Sequence, residues 1–316
     1  MTGLSQLAFL VDGQTLVDAA GQGAVYALMA VGIGLVFGVL RLVNFAYGQL
    51  IMAGAYTLAF TAAWPVWGSI AACFAVVVAL TMVMDRLVFR PLRTASPTVM
   101  LVATFAIAFG LQSVALLIDT RDDTIGETAL SVAGATLPGD NATINQAFSL
   151  GGLDVRRITL ITIVVALLAL GALALLLART RIGLQMRAAA IDFRTARLLG
   201  VRANAVISVA VLLSGLLAAL VAVILTVQQP FVSPDFALKD TIVVLVGVVV
   251  GGIDRLWTAT LGGFAIGFAS GVINGALPTD KTVFLTSWLF ALVIVVLLLR
   301  PAGLFARGQS SLVERM

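Results

Sequence analysis

Long apolar runs alternate along this chain with short clusters of arginine, glycine, asparagine and proline, and most runs could cross about 30 Å of hydrocarbon as a helix. After mildly amphipathic residues 4 to 17, expected at the membrane surface, the pattern predicts spans at about 19–40, 44–64, 66–84, 97–118, 157–178 and 205–227. Three more follow, at about 241–253, 256–277 and 283–299. Thr241 to Ile253 would extend only about 20 Å, so it reads as half of a discontinuous helix or as a re-entrant segment. The expectation is an all-α polytopic membrane protein with about eight to nine transmembrane helices, some discontinuous, in one transmembrane domain over 1–316.

Two polar intervals set the orientation. Arg179 to Arg202 carries six Arg against one Asp, whereas Asp119 to Asp154 carries six acidic residues against one Arg. Residues 85–93 and the tail after Arg300 are also basic. The positive-inside rule therefore places the loop at 179–204 in the cytoplasm and the loop at 119–155 outside, with the N-terminus outside and the C-terminus cytoplasmic. At its length the acidic loop has room for small elements of its own.

Within the basic interval a helix is predicted from about Leu184 to Leu199. Leu184, Ala188, Ile191, Thr195 and Leu198 recur at steps of three and four and form one stripe, while Arg187, Arg194 and Arg197 fall mostly off it. Such a helix can enter a groove on a soluble partner, or the loop can serve only to fix orientation. Gly200 is placed to end the helix in a conformation that a Cβ would disfavour.

Composition narrows the class. With 61% hydrophobic and 11% charged residues, too little polar surface exists to cover a water-soluble core. The net charge of +4 comes from arginines at a few loops and gives no sign of a nucleic-acid partner. There is no histidine and one cysteine, Cys73, which leaves no His-ligated metal, no Ser-His-Asp triad and no intrachain disulfide. No catalytic group, metal site or cofactor is expected. No GxxxxGK[ST] loop occurs, so ATP hydrolysis would need a partner. The N-terminal stretch lacks Lys and Arg and does not read as a cleaved signal peptide. None of the predicted spans has a charged residue in its interior, which argues against a proton relay.

Three separated stretches resemble the LivH-type subunits of the branched-chain amino-acid ABC-importer permease family. They are GAVYALMAVGIGLVFGVLRLVNFAYGQLIMAGAY from Gly23, GLQMRAAAIDFRTARLLGV from Gly183, and VVVGGIDRLWTATLGGFAIG from Val248 with the later RPAGLF. The resemblance implies an ABC-importer permease fold in the bacterial inner membrane. It also implies a second related permease subunit, two cytoplasmic ATP-binding subunits and a periplasmic solute-binding protein. The segment Gly183, Leu184, Arg187, Ala188, Ile191, Arg194, Leu198 and Gly200 would contact the ATPase. The family usually has His and an acidic residue where this chain has Tyr47 and Gln49, and a Gly-Ser turn followed by Gly where it has Asp254-Arg255 and Trp257-Thr258. Both departures fall in segments assigned to the solute path.

Candidate path residues are Asn44, Tyr47, Gly48, Gln49, Gln112, Gly252 and Asn274, because unpaired amides and hydroxyls are costly in hydrocarbon and must meet something polar. Hydrogen bonding between helices is the alternative for Asn44 and Gln49, close packing for the glycines, and a mutual ion pair for Asp254 and Arg255. A faint echo relates Gly38–Gly54 to Gly247–Gly263 and hints at duplicated halves. The solute expected is a small amino acid, branched-chain or similar, or a related amide. An ion-coupled carrier and a passive urea or amide channel remain the other readings.

Overall fold

The computed structural model describes residues 13–40, 43–93, 95–119, 147–150, 153–191, 193–229, 232–252, 255–277 and 284–300. Its helices are α1 (Gly13–Leu40), α2 (Tyr47–Phe60), α3 (Val66–Leu92, with a π-helical turn Asp85–Phe89) and α4 (Pro97–Asp119). A hairpin β1 (Ala147–Leu150) and β2 (Leu153–Arg156) precedes α5 (Arg157–Arg179), α6 (Arg181–Ile191) and α7 (Phe193–Leu198). The chain continues through α8 (Ala203–Gln228), α9 (Leu238–Gly251), α10 (Leu256–Ala276) and α11 (Leu285–Leu299). The hairpin pairs antiparallel from Ala147 with Arg156 to Leu150 with Leu153, the small element for which the acidic interval had room.

Close contacts fix the directions. Along α10, Gly267 lies on Gln22 and Gly23 of α1, Gly271 on Ala19 and Gly275 on Thr15, so α1 and α10 are antiparallel. Cβ atoms at these four-residue steps would strike α1, which is why the seam requires glycine. α3 runs antiparallel to α8, with Cys73 at Ala219, Gly215 at Thr81 and Ser208 at Asp85. One face of the bundle thus carries the acidic interval and the other carries the basic one.

Two helices are short for a reason. α2 and α9 have 14 residues each, about 21 Å of rise, and they begin in mid-bundle. A Cβ on Gly48 would meet Thr241 and the Ala237 carbonyl, and one on Gly32 would meet the Tyr47 hydroxyl, so the two starts adjoin at the depth of mid-α1. α2 then leads to the acidic face and α9 to the basic one. Each follows a full-length helix, α1 or α8, after a non-helical return. Backbone groups at the first break are satisfied locally: the Asn44 Oδ1 accepts the Ala46 N–H at 3.1 Å and the Asn44 carbonyl accepts the Tyr47 N–H at 3.3 Å.

Several expectations change here. The first span begins at Gly13, so residues 13–17 belong to α1 and not to a surface segment; residues 4–12 lie outside the described residues. Of the 241–253 segment, residues 241–251 belong to α9, the helical half of a broken crossing, and Ile253 lies outside the described residues. α9 starts at Leu238, so Lys239 and Asp240 are helical, and α1 includes Asp18, against the expected absence of charge from the spans. The pairs α1–α2 and α8–α9, each a long helix followed by a half-helix, run in opposite senses.

At the basic face a polar network centred on the buried Asp85 joins α3 to α8. The Asp85 carboxylate accepts from Arg93 Nη2 at 2.8 Å and from the Ser208 hydroxyl, and Arg93 Nη1 donates to Asn204 Oδ1 at 2.6 Å. The π turn at Asp85–Phe89 adds a residue where helices often carry function. Asp85→Leu would leave Arg93 without its carboxylate and is expected to lower stability by about 3–5 kcal/mol. Thermal unfolding in detergent, followed by tryptophan fluorescence, measures this, with Asp85→Asn losing less. A Leu variant that melts with the wild type would show that the network is not structural.

Candidate transport path and coupling surface

Gln14, Asp18, Gln22 and Tyr26 follow one another at four-residue steps on α1, along one side of the helix over about 18 Å. The first three line a cavity of about 540 Å³ open at the acidic face, together with Arg156 and Thr159, Gln228 of α8 and Asn274 of α10. The Thr159 hydroxyl donates to Asp18 Oδ1 at 3.4 Å, and Gln228 Nε2 donates to the Thr162 hydroxyl at 3.1 Å, fastening α5 to α1 and α8 around the cavity.

Below the cavity the buried Tyr26 hydroxyl donates to Asp240 Oδ1 at 2.7 Å. Asp240 is the third residue of α9, where free amides and the helix dipole favour a carboxylate. On α1 polar side chains thus recur from the cavity down to Tyr26, which meets Asp240 at the start of α9.

Most of the path residues named from sequence stand apart from this line. Asn274 alone among them lines the cavity. Asn44 is buried and spends its carbonyl on the Ala46 amide. Tyr47 and Gln49 are buried, and the Tyr47 hydroxyl and Gln49 Oε1 have no hydrogen-bond partner among the described residues. Gly48 is a contact point for α9, and Gln112 sits half-buried on α4 away from the cavity. Gly252 has φ 103° and ends α9, its carbonyl accepting the Thr258 hydroxyl at 2.6 Å. Of the ion pair expected between Asp254 and Arg255, Asp254 lies outside the described residues.

In the basic interval Arg181–Ile191 (α6) and Phe193–Leu198 (α7) are helical, across the range expected for a helix over 184–199, with Asp192 outside the described residues. Gly183, Met186, Ala189 and Ala196 turn inward, and a Cβ on Gly183 would strike the Leu177 backbone. The predicted stripe turns outward: Leu184 is 61% exposed and Leu198 84%, beside Leu199 at 81%, with Thr195 exposed and Ala188 half-buried. Arg187 is exposed, its Nη2 donating to the Ala178 carbonyl at 3.4 Å. The side chains of Ile191 and Arg194 lie outside the described residues. Gly200 has φ 86° and the Val201 N–H bonds the Ala196 carbonyl at 3.1 Å, the Schellman closure of a helix end.

Comparison with known proteins bears on both regions. Residues 15–300 match the family described as branched-chain amino acid transport system / permease component. The high-affinity branched-chain amino acid transport system permease protein BraD of Pseudomonas aeruginosa is 29% identical, over 94% of this chain and 96% of that one. The protein of the same description named LivH, from Salmonella typhimurium, is 26% identical over 95% and 97%. A solved ABC transporter of the metal-chelate type, in an inward-facing conformation, has a TM-score of 0.52 at 18% identity and covers 95% of this chain and 91% of its own, a likeness of fold. The chain is a multi-pass membrane protein that belongs to the family of branched-chain amino acid transport system permease components.

Proposed function

We propose that this chain is a permease subunit of an ATP-driven ABC importer carrying small amino acids, branched-chain ones foremost, or related amides across the bacterial inner membrane. The family match over residues 15–300 carries this reading. The acidic face lies outside and receives solute from a periplasmic binding protein; the basic face lies in the cytoplasm. Solute enters the cavity between α1, α5, α8 and α10 and passes Gln22 and Tyr26 to the half-helix junction. A second related permease completes the membrane part. ATP is hydrolysed by two cytoplasmic subunits, and Leu184, Leu198 and Leu199 are the contact, since leucines this exposed on a membrane protein's aqueous face want a partner's groove.

Asp240 favours one other reading, since a carboxylate at mid-depth is the kind of group an ion-coupled carrier uses. Proteoliposomes holding the assembled complex and its binding protein separate the two. Uptake of labelled leucine with internal ATP and no ion gradient is expected, and uptake that needs only a gradient would overturn the importer.

Sidedness has its own test. With Cys73→Ser as background, Thr128→Cys is expected to react with an impermeant thiol reagent from outside and Thr195→Cys to be spared. The reverse labelling would remove α6 and α7 as the ATPase contact.

A further inference from the structure

The geometry points to the outer cavity as a binding site for the zwitterionic backbone of an α-amino acid with an uncharged side chain, Asp18 taking the ammonium and Arg156 the carboxylate. The inference rests on the import reading above and assigns that reading a solute site within the membrane subunit itself. Among the described residues, Asp18 and Arg156 are the two charged ones lining the cavity, and they carry opposite signs. Among the described residues neither has an oppositely charged partner within ion-pair distance. Asp18 receives one neutral donor, the Thr159 hydroxyl at 3.4 Å. Two opposite charges held apart in one cavity are matched by a ligand that carries both. The Arg156 guanidinium can engage a carboxylate through two parallel N–H donors.

The rest of the lining fits the remainder of such a ligand. Gln14, Gln22 and Asn274 each offer a donor and an acceptor, while Ile158 gives the lining an aliphatic side chain. The volume of about 540 Å³ lies in the range of small-ligand sites. A third charge on the ligand would find no counter-charge among the described lining residues, so lysine and glutamate bind worse than leucine. The site faces the side from which a binding protein delivers and its floor is Gln22, one turn from Tyr26, so binding here should be weak enough for release inward.

The test uses the intact complex in lipid nanodiscs, without binding protein, and saturation-transfer NMR with L-leucine, empty nanodiscs being subtracted. Leucine is expected to bind in the millimolar range. 4-Methylpentanoate, which lacks the ammonium, and 3-methylbutylamine, which lacks the carboxylate, should each bind at least tenfold more weakly. Asp18→Asn and Arg156→Gln should each weaken leucine by about the same factor. Equal binding of all three compounds overturns the proposal on wild-type protein alone, whether or not the variants fold; so does leucine binding undiminished in both folded variants. A phosphatidylethanolamine headgroup presents the same pair of charges. Leucine binding unchanged between phosphatidylglycerol nanodiscs and mixed phosphatidylethanolamine nanodiscs keeps the amino acid as occupant, and its loss in the mixed ones assigns the site to the headgroup and overturns the proposal. ATP-driven uptake in proteoliposomes with no leucine binding to the complex would sink the site and leave the importer standing; absence of ATP-driven uptake would sink the importer itself.

Discussion

Leu198→Asp is expected to abolish most of the ATP hydrolysis that a loaded binding protein stimulates, while the permease still inserts and assembles. The side chain is 84% exposed, so its replacement removes no internal packing, and surface changes of this kind shift stability by about 0.5 kcal/mol or less. In a partner's groove the same carboxylate would lose its water without gaining a counter-charge, a cost of kilocalories. Each 1.4 kcal/mol is about a factor of ten, so stimulated hydrolysis should fall tenfold or more. Asp near a helix C-terminus also opposes the dipole, at about 0.3–1 kcal/mol. Leu198→Lys separates these effects, because lysine suits the helix end yet still carries charge into the groove. Both variants should uncouple. Loss with Asp alone would make the effect one of helix closure, and full stimulation in both would reduce α7 to a topological anchor.

The sequence made the course of the chain legible and left the polar line hidden. Runs of apolar residues marked every long helix, and the short Thr241–Ile253 run marked α9 as broken. The cavity escapes a hydropathy reading because Asp18 stands just ahead of the apolar run that opens at about residue 19. Hydropathy ends where charge begins, but a helix need not. Once α1 starts at Gly13, Gln14, Asp18, Gln22 and Tyr26 form a four-residue ladder that was present in the letters all along. Asp240 escaped for the same reason: a turn with the Leu238 N–H bonded to the Asp235 carbonyl at 3.0 Å starts α9 ahead of the apolar run. That Tyr26 lies against Asp240, 214 residues away, is tertiary information no local pattern holds.

The path residues around Asn44 illustrate a different ambiguity. A polar residue in an apolar segment must be satisfied, but the Ala46 amide two residues on satisfies Asn44 as well as a solute could. Break and path give the same sequence signal, since both need polar groups where a helix stops. Tertiary placement puts Asn44 at the break and opens Asn274 on the cavity.

Gly262→Leu is expected to prevent α9 from seating on α10 and to remove nearly all folded permease. A Cβ at this position would run into the Gly247 carbonyl and lie at 2.5 Å from the Gly251 Cα, so it meets main chain on α9 and not a side chain that can swing away. Gly251 faces the same seam from the other side, against Thr258 and Gly262, so neither helix can yield without separating. Helix association in lipid relies on such close approach, because no hydrophobic gain drives apolar helices together there. Inserting a leucine at a backbone contact exceeds the usual overpacking cost of about 1–3 kcal/mol, since the obstacle is the partner's main chain. Gly110→Leu on α4 and Gly171→Leu on α5 are the controls, with nothing within 4 Å of either added Cβ. Measured as the monodisperse fraction after mild detergent extraction, Gly262→Leu should fall about tenfold or more and Gly110→Leu should match the wild type. Similar yields for the two would mean that the α9–α10 seam is loose, and the half-helix junction it holds at mid-depth could not then be fixed.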